Sequence, residues 1–171
     1  MDDSDPPLAG TGALNLTFIG TAALVVSSTA AALAPDSFGL PHAVLSCILF
    51  AVGTGAMLWA YALGVTRSRT EAVTLAGLFF LSGDVAPAGI RRPFRLALGI
   101  EVVAVVVAAS ARPYTNVAFG VLAPMFALGL MSAWSGRYGS FPPRPPKARG
   151  RVAAGPEATA APASGEDEPP A

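Results

Sequence analysis

Charge falls along this chain in blocks, and the blocks predict its architecture. No Asp, Glu, Lys or Arg occurs at positions 14–34, and none at 43–65. Each run holds roughly 20 residues, enough for a helix rising about 1.5 Å per residue to cross the hydrocarbon of a bilayer. Two more apolar runs follow, at 93–111 (PFRLALGIEVVAVVVAASA) and 114–134. Between the second and third lies TRSRTEAVTLAGLFFLSGDVAPAGIRRPFR, residues 66–95, which carries five of the eleven basic residues. Its own apolar run, 72–82, reaches only about 16 Å as a helix, half a membrane.

Pro, Gly and aromatic positions set the predicted boundaries. Pro35, Gly39 and Pro41 predict a turn over 34–42, since each stops a helix or fits a tight turn. Pro93 suits the first turn of the third span, where a missing N–H is harmless. Pro124 predicts a kink within the fourth. Trp59 and Tyr61, Tyr114, and Trp134 with Tyr138 fall near span ends, where amphipathic rings meet headgroups.

Residues 1–12 (MDDSDPPLAGTG) are acidic and rich in Pro and Gly, and are expected to be disordered. They lack the basic start of a secretory signal, so the first helix is expected to be retained, although TAAALAP at its end imitates a cleavage site. Residues 136–171 form an expected disordered, Pro/Ala-rich cytoplasmic tail. The membrane domain is then 13–135.

Composition agrees. Apolar residues make up 53% of the 171 and charged ones 13%, with a mean hydropathy of +0.55. Soluble domains average about 25% charged residues. The expected fold is therefore all-α, a transmembrane helical bundle of four spans plus a short re-entrant or interfacial helix at 72–82. Five spans, with 72–90 crossing, is the alternative.

The basic residues discriminate between the two. With four spans, Arg67, Arg69, Arg91, Arg92, Arg95, Arg137, Arg144, Lys147, Arg149 and Arg151 share one side and only Arg112 is opposite. With five, Arg67, Arg69 and Arg112 oppose the other eight. Basic residues in short loops favour the cytoplasm. Four spans with both termini cytoplasmic is the expected topology, in the plasma membrane.

Candidate chemistry is sparse. Glu101 is the one ionisable side chain well inside a predicted span, and intramembrane carboxylates are candidates for proton or cation coupling. The competing and simpler reading is structural: six residues past Arg95, Glu101 snorkels to the cytoplasmic surface or pairs with Arg92 or Arg95. His42 is expected at the surface of the 34–42 turn, and lone Cys47 in a packed interior. Asn15, Thr17, Thr54, Asn116 and Ser132 suit bonds between helices. Small residues spaced by four (Ala51/Gly55, Ala56/Ala60/Gly64, Gly129/Ala133) suit close packing within the bundle. Arg67, Arg69, Arg91, Arg92 and Arg95 make residues 66–95 the candidate cytoplasmic interaction surface. The basic patch 137–151 would attract anionic lipid headgroups, and PPRPP within it reads as a linker.

One cysteine excludes an internal disulfide. With no nucleophile–base pair, phosphate-binding loop or ligand cluster in the sequence, neither catalysis, a cofactor, a metal nor a nucleic-acid partner is expected.

TRSRTEAVTLAGLFFLSGDVAP, together with ARPYTNVAFGVLAPMFALGLMSAWSGRYGSFPPR, resembles small multi-pass membrane proteins of actinobacteria over about residues 14–146. The resemblance implies a plasma-membrane bundle and carries over no functional residue. The function expected from the sequence is a non-enzymatic accessory or scaffold subunit, with a membrane-protein partner or a second copy. The alternative is a small oligomeric transporter or channel that uses Glu101.

Overall fold

The computed structural model describes residues 10–144 as an all-α bundle. The helices are α1 (Thr11–Leu33), α2 (Pro35–Arg67), α3 (Leu75–Phe80), α4 (Ala88–Ala111) and α5 (Met125–Tyr138), with a 3-10 helix at Asn116–Leu122 leading into α5. Four segments are long and apolar enough to cross a membrane: α1, α2, α4, and Asn116–Tyr138 taken together. α3, at six residues, reaches about 9 Å and cannot cross. The four-span arrangement with one short helix is the one observed.

Several boundaries differ from expectation, each for a local reason. The 34–42 turn shrinks to Ala34 alone. Pro35 ends α1 but also begins α2, because its fixed φ and missing N–H fit a first helical turn, with Asp36 beside it at the positive end of the dipole. Pro41 lies inside α2, on an exposed face. α4 begins at Ala88 rather than Pro93, so Pro93 also sits inside a helix. Pro124 separates the 3-10 segment from α5 rather than bending one continuous helix.

The termini change as well. Residues 11–12 belong to α1 and 136–138 to α5, while 139–144 pack on the central loop. The remainder of both expected disordered ends, including the last two residues of PPRPP, Lys147, Arg149 and Arg151, lies outside the described residues.

α1 packs on α4 and α2 on α5, with α1 and α2 adjacent. Arg112 Nε donates to Ala32 O at 3.1 Å, which sets the C-terminal ends of α4 and α1 side by side at one end of the bundle. α3, Arg67, Arg95 and the C-terminus of α5 gather at the other end. α2 and α5 cross at glycine: a Cβ on Gly129 would meet the Gly53 carbonyl, and one on Gly53 the Met125 carbonyl. Backbones this close require small residues, the usual device for helix packing in lipid. Of the small residues singled out in the sequence, Gly129 makes this crossing and the others divide. Ala60 and Gly64 are buried, whereas Ala51 and Gly55 face away from the bundle.

The surface is apolar and part of the interior is polar. Ile19, Val26, Leu58, Val103 and Val107 are each more than 60% exposed. Thr17, Thr21, Ser28, His42, Ser46, Glu101, Ser132 and Ser135 are buried. Soluble proteins show the opposite distribution. Such a distribution suits a lipid surround, in which apolar faces turn outward and polar groups turn inward to find partners.

Candidate functional site

The site is built from residues that share inner helix faces. On α1 the buried positions Thr17, Thr21, Leu24, Ser28 and Ala31 recur at three and four residues, so one stripe of an apolar helix carries hydroxyls inward. On α2 the buried stripe runs Gly39, His42, Ala43, Ser46, Leu49, Gly53. On α4 it is Phe94, Ala97, Glu101, Val105 and Ala108.

Glu101 lies where these stripes meet, and it has no exposed surface. Thr21 Oγ1 donates to its Oε1 at 2.8 Å, and Oε2 has no partner among the described residues. The Ala127 amide, in the first turn of α5, faces the carboxylate, so the positive end of that helix is directed at it. Thr21 is ten residues from the start of α1 and twelve from its end, about 15–18 Å from either. Glu101 is therefore central. It neither snorkels nor pairs with Arg92 or Arg95, because its position on α4 faces α1 and α5 rather than the helix end. Arg95 instead donates to Phe80 O (2.9 Å) and Leu81 O (3.4 Å) at the end of α3.

His42 is also buried, against expectation, because α2 continues through the segment expected to turn and carries the ring inward. Its Nδ1 lies 3.1 Å from Ser27 Oγ. The same Ser27 hydroxyl lies 3.0 Å from Leu24 O, to which it donates, and the Val117 backbone is the ring's other polar neighbour. Nε2 has no hydrogen-bond partner among the described residues, nor do Ser28 Oγ, Ser46 Oγ and Thr54 Oγ1. Cys47 is on the outer face of α2, off the buried stripe, and is exposed rather than packed inside. Asn15 and Asn116 are exposed too. Thr17 and Ser132 bond within their own helices, to Ala13 O and Leu128 O.

The candidate cytoplasmic arginines divide into two kinds. Arg67 donates to Gly136 O (3.1 Å) and Gly139 O (2.8 Å), pairs with Glu71 at 2.8 Å, and lies 5.1 Å over the Phe141 ring. Arg91 donates to Gly83 O at 2.6 Å, and Arg95 holds α3. These three fold the central loop onto the bundle. The backbone adds to this: Ala72 N donates to Pro142 O, Ser140 N to Val85 O and Arg144 N to Thr70 O. Ser135 Oγ, buried, donates to Gly77 O of α3 at 3.0 Å. Arg69 and Arg92 remain exposed. Among the described residues no group of three or more His, Cys, Asp and Glu could hold a metal ion.

Thr21, Ser27, Ser28, Ser46 and the interior place of His42 were missed from the sequence. The available signal was the helical spacing of hydroxyls within charge-free runs. Compared with protein-family models, curated proteins and solved structures, the chain matches none.

Proposed function

We propose that the protein is a plasma-membrane proton- or cation-coupled subunit in which Glu101 is the coupling carboxylate. One observation carries this reading: among the described residues, a fully buried carboxylate near the middle of the bundle has one hydroxyl partner, no ion-pair cation, and an oxygen without a partner. Ionised carboxylates without a counter-charge are expensive in such surroundings, and uptake of a proton or a monovalent cation removes that cost. A purely structural carboxylate would gain by pairing with arginine. Here Arg91 and Arg95 are engaged elsewhere.

The charge distribution supports an orientation. Arg67, Arg91, Arg95 and Arg137 belong to the end that holds α3, as do Arg69, Arg92 and Arg144 by their place in the chain, while Arg112 is at the other end. The α3 end is accordingly cytoplasmic, and anionic headgroups there would meet Arg69, Arg92 and Arg137. Four helices are few for a lone pathway, so a second copy or another membrane protein completes it.

The test is proton flux into proteoliposomes of reconstituted protein, parent against Glu101→Gln. Loss of flux in the variant, with unchanged insertion, supports the proposal; equal flux, or none in the parent, removes it. The second reading, a non-enzymatic scaffold, draws on the laced cytoplasmic end, where exposed Arg69 and Arg92 stand on a rigid base. Copurification of one stoichiometric membrane partner that is lost in Arg69→Glu/Arg92→Glu would favour it.

A further inference from the structure

Taking Glu101 as the proton-coupling group, we propose that His42, with Ser28 and Ser46, forms the route by which protons reach Glu101 from the Arg112 side of the membrane. The placement is geometric. A Cβ on Gly120 would lie 2.7 Å from His42 Nε2 and 3.6 Å from Val105 Cγ1, which sets the ring at the level of Val105. Val105 is four residues past Glu101 on α4, about 6 Å toward Arg112. Ser46 is one turn deeper than His42 on α2, and Ser28 is five residues from the end of α1.

These groups share a second property. Ser28 Oγ, His42 Nε2, Ser46 Oγ and Glu101 Oε2 are all buried without a partner among the described residues. Polar atoms in a membrane interior rarely go unpaired unless they serve water, an ion or a proton. Ser28 also lines a mostly apolar groove of about 360 Å³ between α1 and α4 near the Arg112 end, open on the Val103 and Val107 face.

The bonding of His42 suits a relay. In this route Nδ1–H donates to Ser27 Oγ and the Nε2 lone pair, beside the Val117 backbone, accepts the proton. The resulting imidazolium releases that same proton from Nε2 through bridging water to Glu101 Oε2, giving a carboxylic acid and neutral imidazole. No oxidant, reductant or bond cleavage is involved. The elements packed around the ring bring no competing charge. α1 gives Ser27 and Ser28, α4 gives Val105 and, one turn on, Glu101, and the 3-10 helix gives Val117 and Gly120. On α2 itself Asp36 is exposed, and Arg112 bonds Ala32 O.

His42 is the single histidine of the chain, so histidine labelled with 15N gives one residue's signals. Full-length protein in lipid nanodiscs should show the Nδ1–H tautomer, and its pH-dependent shift should change in Glu101→Gln. In proteoliposomes, His42→Gln should slow Glu101-dependent proton flux on the order of 100-fold, as loss of a proton-transfer group does. Ser46→Ala, which barely alters packing, should slow it measurably and covers the case in which His42→Gln fails to insert. Glu101-dependent flux that is unchanged in both variants overturns the His42 route while leaving Glu101 in place. Absence of any Glu101-dependent flux overturns both.

Discussion

Replacing Arg67 with Met should loosen the α3 end of the bundle and leave its middle intact. Arg67 is the last residue of α2, and its guanidinium caps the C-terminal carbonyls of α5 through Gly136 and Gly139. Two hydrogen bonds from a charged donor are worth about 1.5 kcal/mol each at the low end of their range. The low end applies because the side chain is 26% exposed. The pair with Glu71, equally exposed at 29%, adds about 0.5 kcal/mol, and the contact with Phe141 about as much. The sum near 4 kcal/mol is an upper bound, since bonds sharing one group are not additive. A loss of about 2–3 kcal/mol is expected. Hydrogen exchange in nanodiscs reads this locally: the amides of Ala72, Ser140 and Arg144, which lace the loop to 142–144, should exchange about 30–150-fold faster. Arg67→Lys should recover only part, because an ammonium cannot fork between two carbonyls. Unchanged exchange at those three amides would refute the reasoning, as would an equal rise throughout α1 and α4.

Three further outcomes follow from packing and exposure. Gly129→Ala places a methyl on the Gly53 carbonyl and should destabilise the α2–α5 contact by about 1–3 kcal/mol, read as a lower unfolding midpoint in detergent; an unaltered midpoint would mean that the helices do not touch there. Cys47, exposed on the outer face of α2 about 18 Å from its start, should react in membranes with an apolar maleimide and resist a charged, water-bound one. Single cysteines at Gly83 and Tyr114, in a Cys47→Ser background, should label from opposite sides, Gly83 from the cytoplasm; labelling of both from one side would contradict the four-span fold.

The spans were legible because their signal is long and redundant: a charge-free run of roughly 20 residues admits few alternatives. The half-length of 72–82 was likewise enough to keep α3 out of the membrane. Proline misled in two directions. Pro35 and Pro41 together read as a turn, yet proline at a first helical position starts a helix, and in lipid an interior proline is tolerated. That single error moved His42 from the interior to the surface. Glu101 was found, because one carboxylate in an apolar run is conspicuous. Its partner was not, because a charge suggests an arginine, whereas Arg95 had carbonyls of α3 within reach and Thr21 was the group on the facing helix. The division of the arginines, with Arg67, Arg91 and Arg95 bonded to carbonyls and Arg69 and Arg92 left exposed, was hidden for a related reason. Charge in a sequence says where water is, and it does not say which carbonyls a guanidinium will cap.

The two halves of the interior differ in a way that gives Glu101 a direction. Toward Arg112, the buried polar atoms of Ser28, His42 and Ser46 are unpartnered. Toward the α3 end, buried Ser132 and Ser135 are both bonded, Thr54 Oγ1 alone is left without a partner among the described residues, and the space around the serines is filled by Ile90, Phe94, Met131 and Trp134. Glu101 therefore sits at the boundary between a half prepared for water or protons and a half closed by side chains. A proton that arrives by the open half can leave by the other only if that plug moves. The elements covering it are α3 and the 139–144 segment, held by the Ser135–Gly77 bond and by Arg67, Arg91 and Arg95. On the proposed function, those arginines set how readily the α3 half opens, because they hold the backbone carbonyls that close it. On this account Arg67→Met should raise Glu101-dependent flux while weakening the fold, whereas a purely structural loop would lose both together.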